Sequence, residues 1–382
     1  MSADSYTFVV SGYRDTYTIF SFDPSTAQIK VVSDSKAPEK ASWIEAAPNA
    51  GGLASSRNLY SISEVEKGLA VSLKLSSGND KIEITAQRET GGSPAHVHVM
   101  KDGSGLVAGN YLGGSVIFYP FNADGSLSTT SESPILHLPF VYKDQESPNP
   151  ERQDASHAHQ VLEGENGIIY VPDLGSDRVW VIEREGESGL KIKGWLQAPP
   201  GTGPRHAVIS KDGKHMYVLT ELTSDVLVFS LDTPTYPIIP KPDFKVNIVP
   251  DEVSAEAHKF INASELVANP AHPQVLYASN RLELHLEENS KGQFKAPEGA
   301  TGDAIAIIEL DESGDKVKSV KKIRTALDNL RGMAISADGK YVATAGRKKG
   351  GLEIWRTGDN GLDFKLAAKD EKVEGVTDLL FL

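Results

Sequence analysis

Short runs in which apolar and polar positions alternate recur along the whole chain, and they are rich in β-forming residues. The clearest pair lies between Gly203 and Glu221, in GPRHAVISKDGKHMYVLTE. RHAVIS and HMYVLTE read as two strands, and the Asp212-Gly213 dipeptide between them is hairpin-turn chemistry. A hairpin returns the chain to the edge it left. Arg205 and His206 at the entry therefore come near Glu221 at the exit.

The same unit repeats. Its second strands are YTFVVSGY ending at Tyr13, LYSISE at Glu64, GLVAGNY at Tyr111, IIYVPD at Asp173, HMYVLTE at Glu221, VLYASNR at Arg281 and YVATAGR at Arg347. These ends fall 47 to 66 residues apart, and most units add one strand before and two strand-like runs after. Asp102-Gly103 and Asp338-Gly339 repeat the turn. Four strands at this period predict an all-β, seven-bladed β-propeller, one domain spanning residues 1–382, rather than a solenoid. The first unit lacks its leading strand, while VTDLLFL (Val376 to Leu382) is a spare one. The expectation is that this last strand pairs with residues 6–13 and closes the ring. Stretches near 143–156, 237–258 and 285–303 are long for hairpin connections and read as lids or solvent-exposed insertions.

Composition narrows the function classes. The 382 residues include no cysteine, which removes disulfides, thiol catalysis and cysteine-ligated zinc. The net charge of -13 argues against nucleic acid as a partner. No apolar run approaches a membrane span, and the start, MSADSYTF, shows no secretory pattern. A cytoplasmic protein without a membrane partner is expected.

Candidate chemistry gathers where first strands begin and second strands end. The positions are His98, His157, His159, Arg205, His206, Asp173, Glu221, Arg281, Arg331 and Arg347. In a propeller these ends converge on one channel mouth, with Asp173, Glu221 and Arg281 expected at equivalent places. Such groups together predict a polar, hydrated pocket. Each also has a structural explanation: Arg205 beside Glu221 as an ion pair tying two strands, and Arg331 as a brace of the channel wall. His96 with His98, and His157 with His159, share a strand face at spacing two. Without a clear carboxylate partner they read as hydrogen-bonded structural histidines, and no metal site is assigned.

GPRHAVISKDGKHMYVLTE, AHQVLEGENGIIYVPDLGSDRVWV, LYASNR and LRGMAISADGKYVATAG resemble the seven-bladed β-propeller lactonase family over nearly the whole chain. The family includes bacterial 6-phosphogluconolactonases and the fungal 3-carboxy-cis,cis-muconate lactonizing enzyme (carboxymuconate cyclase). The resemblance to the muconate enzyme implies a catalytic set of His159 in SHAHQVL, Arg205 in GPRHAV, Glu221 in VLTEL and Arg281 in ASNRLE. It leaves His98, His157, His206, Asp173, Arg331 and Arg347 as candidate substrate-binding residues. The sequence departs from the family at SWIEAAPNAGG, where a DG-type turn is usual, and in the two later insertions.

These residues permit lactone chemistry without a cofactor. Arg205 and Arg281 can bind a carboxylate or phosphate through two parallel hydrogen bonds. His159 or Glu221 can move a proton, and arginine can stabilise an oxyanion. The expected substrate is a small anionic lactone or its open-chain acid, handled by metal-independent hydrolysis. Cyclisation of a carboxylated muconate is the alternative. A non-enzymatic propeller scaffold is the third reading, although the WD-repeat signatures are missing from the blades.

Overall fold

The alternating runs become seven four-stranded antiparallel sheets in a computed structural model that describes residues 5–47, 57–232, 235–241 and 244–382. Each sheet is one blade, and in six of them the strands follow chain order outward from the axis. Blade two runs from Ile44–Ala46 to Ile82–Glu89, blade three from Pro94–Val99 to Ile135–His137, and blade four from Leu162–Glu163 to Gly189–Gln197. Blade five runs from Pro204–Ile209 to Lys245–Asn247, blade six from Asn262–Ala268 to Val317–Arg324, and blade seven from Asp328–Ile335 to Lys365–Asp370. Pro48 to Gly52 of the SWIEAAPNAGG stretch lie outside the described residues.

Blade one is closed by the far end of the chain. Its order begins with Val376–Phe381, which pairs antiparallel with Tyr6–Gly12 through Phe8↔Phe381 and Val10↔Leu379. Two sheet edges that would otherwise stand open are thereby satisfied. The hairpin turns form as expected. Gly213 takes φ +74 and its N–H donates to the Ser210 carbonyl at 2.9 Å; Gly339 repeats this with φ +72 and Ser336 at 2.8 Å.

The core lies between neighbouring blades. Tyr217, Leu219 and Val228 of blade five pack against Leu276, Ala278 and Ile308 of blade six, all buried. Hydrophobic faces of adjacent sheets thus exclude water from between the blades, while outermost strands such as Gln28–Lys36 and Ile82–Glu89 stay largely exposed. The insertions after blade five and inside blade six are not separate lids. They share a small core of Val249, Val253, Ala257, Ile261 and Leu286, with Phe260 and Phe294 rings 5.9 Å apart. That core joins the strands carrying Asn262 and Arg281, so it stands beside the channel mouth. Among the described residues no helix is long and apolar enough to cross a membrane.

Candidate active site

Register irregularities aim the key side chains. A β-bulge places an extra residue on one strand and turns its side chain out of the regular alternation. The inner strand of blade five is bulged between Pro204 and His206, and that of blade seven between Leu330 and Gly332. The extra residues are Arg205 and Arg331.

Glu221 follows the second strand of blade five and is 1% exposed. Arg205 Nε donates to its Oε2 at 3.0 Å, Arg152 Nη2 donates to Oε1 at 2.6 Å, and Arg281 Nη2 lies 2.8 Å from Oε1. Burial alone would raise the Glu221 carboxyl. Arg281, Arg152 and Arg205 outweigh it and hold the group well below the usual carboxylate range. Arg205 is itself buried and also donates to the Ser264 carbonyl. The expected hydrated rim is therefore a dry one at this point, because the charges satisfy one another.

A second cluster completes the mouth. Arg331 Nη1 donates to the Tyr13 hydroxyl at 3.1 Å and Nη2 to Glu64 at 3.5 Å; the Tyr13 hydroxyl donates to Glu64 at 2.9 Å. Arg347 lies over the Tyr13 ring, 5.6 Å from its centre. Arg152, Arg205, Arg281 and Arg331 face only Glu221 and Glu64 in these ion pairs, an excess of two positive charges. This guanidinium cluster is locally positive in a chain that carries -13, with Glu265 as a further carboxylate acting on Arg205.

His159 sits beside these groups, 7% exposed, with its ring 5.6 Å from that of Tyr111 and 5.1 Å from that of His206. Burial, then the charges of Arg205, His206, Arg331 and Arg281, lower it well below the ordinary imidazole value. The imidazole is thereby kept neutral at pH 7, and its buried Nδ1 has no hydrogen-bond partner among the described residues. His206 is lowered chiefly by burial, with its Nδ1 2.6 Å from Glu265 Oε1. His96 packs on the Trp43 ring at 4.1 Å and is lowered by burial too.

His98 differs. Its Nδ1 lies 3.0 Å from Glu45 and its Nε2 3.8 Å from Glu163, residues of the two flanking inner strands. Burial opposes charging, but the glutamates prevail and raise it to about 9. The sequence showed no carboxylate near His98, since both partners come from other blades. Among the described residues no group of three or more histidines and carboxylates is arranged to hold a metal ion.

Asp173 does not join the mouth. Asp173 pairs with Arg178 as Thr220 pairs with Asp225 and Asn110 with Ser115. Its counterpart is Thr220, and Leu174 occupies the place of Glu221. The equivalence expected from sequence is one residue out, which in a strand reverses the side chain's face. The buried carboxylate accepts the Ser156 hydroxyl at 2.6 Å, the Trp180 indole N–H at 2.8 Å and the His157 backbone N–H at 2.7 Å. His157 props a neighbour. It stacks on Tyr111 at 4.5 Å, with its Nε2 2.9 Å from Asp154.

Sequence reasoning missed Arg152 and Glu265. Arg152 belongs to the polar 143–156 loop, which does reach over the mouth, and a loop carries no periodicity that would place it. Tyr13, Glu64 and Tyr111 were visible as strand ends without being chosen. A cleft of about 800 Å³ lies on the outer flank of blades five and six beside Lys245, Asp251 and Lys322, away from this chemistry.

A family model described as "Lactonase, 7-bladed beta-propeller" matches residues 7–381. The chain is 24% identical over 360 residues to a 6-phosphogluconolactonase of Bacillus subtilis, covering 90% of each. It is 22% identical over 347 residues to a 6-phosphogluconolactonase of Formosa agariphila, covering 88% of this chain and 87% of that protein. A solved structure of a periplasmic gluconolactonase from Pseudomonas aeruginosa superposes with a TM-score of 0.79 at 21% identity, covering 99% of both chains.

Proposed function

Because this chain belongs to the seven-bladed β-propeller lactonase family, we propose that it hydrolyses a small lactone bearing an anionic group, in the manner of a 6-phosphogluconolactonase. The observation that carries the reading is the excess of guanidinium charge at the channel mouth beside a neutral, buried histidine. Nothing in this arrangement calls for a cofactor.

His159 is the proton carrier in this reading. The exposed edge of its ring, which is not the buried Nδ1, accepts a proton from water as the water oxygen bonds to the lactone carbonyl carbon. The carbonyl oxygen becomes an oxyanion, which Arg205 or Arg281 stabilises in a site where those donors are already fixed. On collapse the ring C–O bond breaks, and the departing alkoxide takes the proton back from His159. Glu221 is unsuited to that role. Three arginines hold it ionised, so it neither donates a proton nor accepts one readily, and it instead fixes the guanidinium planes.

The test is a turnover panel of neutral sugar lactones, phosphorylated sugar lactones and carboxylated muconates with a chelator present. Turnover of a phosphorylated lactone, faster than its neutral parent and unaffected by the chelator, is the expected result. Turnover of muconates alone would replace hydrolysis by cyclisation. Activity lost on chelation and restored by one divalent ion would overturn the metal-independent mechanism.

A further inference from the structure

Arg152 stands apart from the other arginines of the mouth. It comes from the 143–156 loop rather than from a blade, and its side chain is 33% exposed, against 3% for Arg205 and 14% for Arg281. Both of its hydrogen bonds use one nitrogen: Nη2 donates to Glu221 at 2.6 Å and to the Tyr111 hydroxyl at 3.4 Å. Nε and Nη1 have no protein acceptor among the described residues. One edge of a planar donor fork is therefore open at the mouth.

Its backbone, by contrast, is fixed. The adjacent Gln153 donates to the Leu174 carbonyl at 3.0 Å and to Asp177 at 2.9 Å. Asp177 also accepts the Tyr142 hydroxyl and the N–H groups of Gly201 and Gly203, tying the loop to the start of blade five. The side chain can swing while its attachment stays. If it does, Glu221 keeps Arg205 and Arg281, so no buried carboxylate is stranded.

We propose that Arg152 is the specificity-determining residue that recognises the anionic group carried away from the lactone ring, exchanging its bond to Glu221 for a phosphate or carboxylate of the substrate. The inference rests on the lactonase reading above. A guanidinium suits the task because two parallel N–H donors match two oxygens of either anion. Arg205 and Arg281 remain with the reacting carbonyl, which every lactone possesses. Arg152 then separates charged from neutral lactones of the same ring.

The experiment compares wild type, Arg152→Ala and Arg152→Lys on glucono-δ-lactone and its 6-phosphate. Arg152→Ala should lower kcat/KM for the phosphorylated lactone about a hundredfold, mostly through KM, and by at least about tenfold more than it lowers that for the neutral lactone. Arg152→Lys should recover part of the loss, since it keeps charge without the fork. Equal losses on both lactones, or no loss on either, would overturn the proposal. Calorimetric binding of the products, 6-phosphogluconate and gluconate, separates it from the lactonase reading. If wild type hydrolyses neither lactone yet binds 6-phosphogluconate more weakly after Arg152→Ala, the reaction is misassigned and the anion recognition stands. If the two proteins bind it equally, the recognition fails as well.

Discussion

Arg205 Nε lies 3.0 Å from Glu221 Oε2 with both side chains almost wholly buried, at 3% and 1% exposure. Truncation at this place is not the mild event expected of a hydrated rim. Glu221→Gln leaves three guanidiniums facing a neutral amide and should lower stability by about 3 to 5 kcal/mol. Denaturant titration measures the loss. Millimolar phosphate should restore part of it by standing in for the carboxylate; a variant as stable as wild type would show that the clamp has no net worth.

His159→Ala should leave the melting temperature close to wild type and reduce kcat by about a hundredfold, with KM changed little. The neutral imidazole is the active form, and burial and the nearby arginines lower it. Wild-type kcat should therefore rise with pH through a value below the ordinary 6.5 and be flat at neutral pH. A profile still rising above pH 7 would remove His159 from the proton step.

The buried histidines also set a stability window. His96, His159 and His206 are lowered on folding, so the unfolded chain binds more protons, and stability should fall as pH drops below about 6.5. His98 acts in the opposite direction. Raised to about 9, it contributes fully below about 6.5, and that contribution disappears as pH climbs to its folded value. The stability difference between wild type and His98→Asn should shrink steadily over this range. A difference independent of pH would mean that His98 is not charged between Glu45 and Glu163.

Removing residues 376–382 should abolish the cooperative melt. Val376 and Leu379 are buried, each contributing roughly 2 kcal/mol, and the edge of Tyr6–Gly12 would be left without its partner. An unchanged melting temperature would contradict the closure.

The blades were legible because strand alternation and Asp-Gly turns are local properties. The spare strand at one end and the gap at the other made closure legible as well. The site was readable only so far as it hangs on strands. His159, Arg205, Glu221 and Arg281 lie at inner-strand beginnings or second-strand ends, and the structure gathers all four. Asp173 was misplaced because strand ends found from composition carry an error of one residue, enough to swap Leu174 into its position. Arg152 escaped because a loop has no period, and Glu45 and Glu163 because their partnership with His98 spans three blades.

The strand Val376–Phe381 joins Tyr6–Gly12 across some 360 intervening residues. During synthesis at about 5–20 residues per second, the first blade must wait roughly 20 to 70 s for its missing member. Throughout that interval its apolar edge is open to any other extended chain emerging nearby. The nascent protein's exposure to mispairing is thus set by ribosome speed, and slowing translation should tax this fold more than one whose neighbours in space are neighbours in sequence.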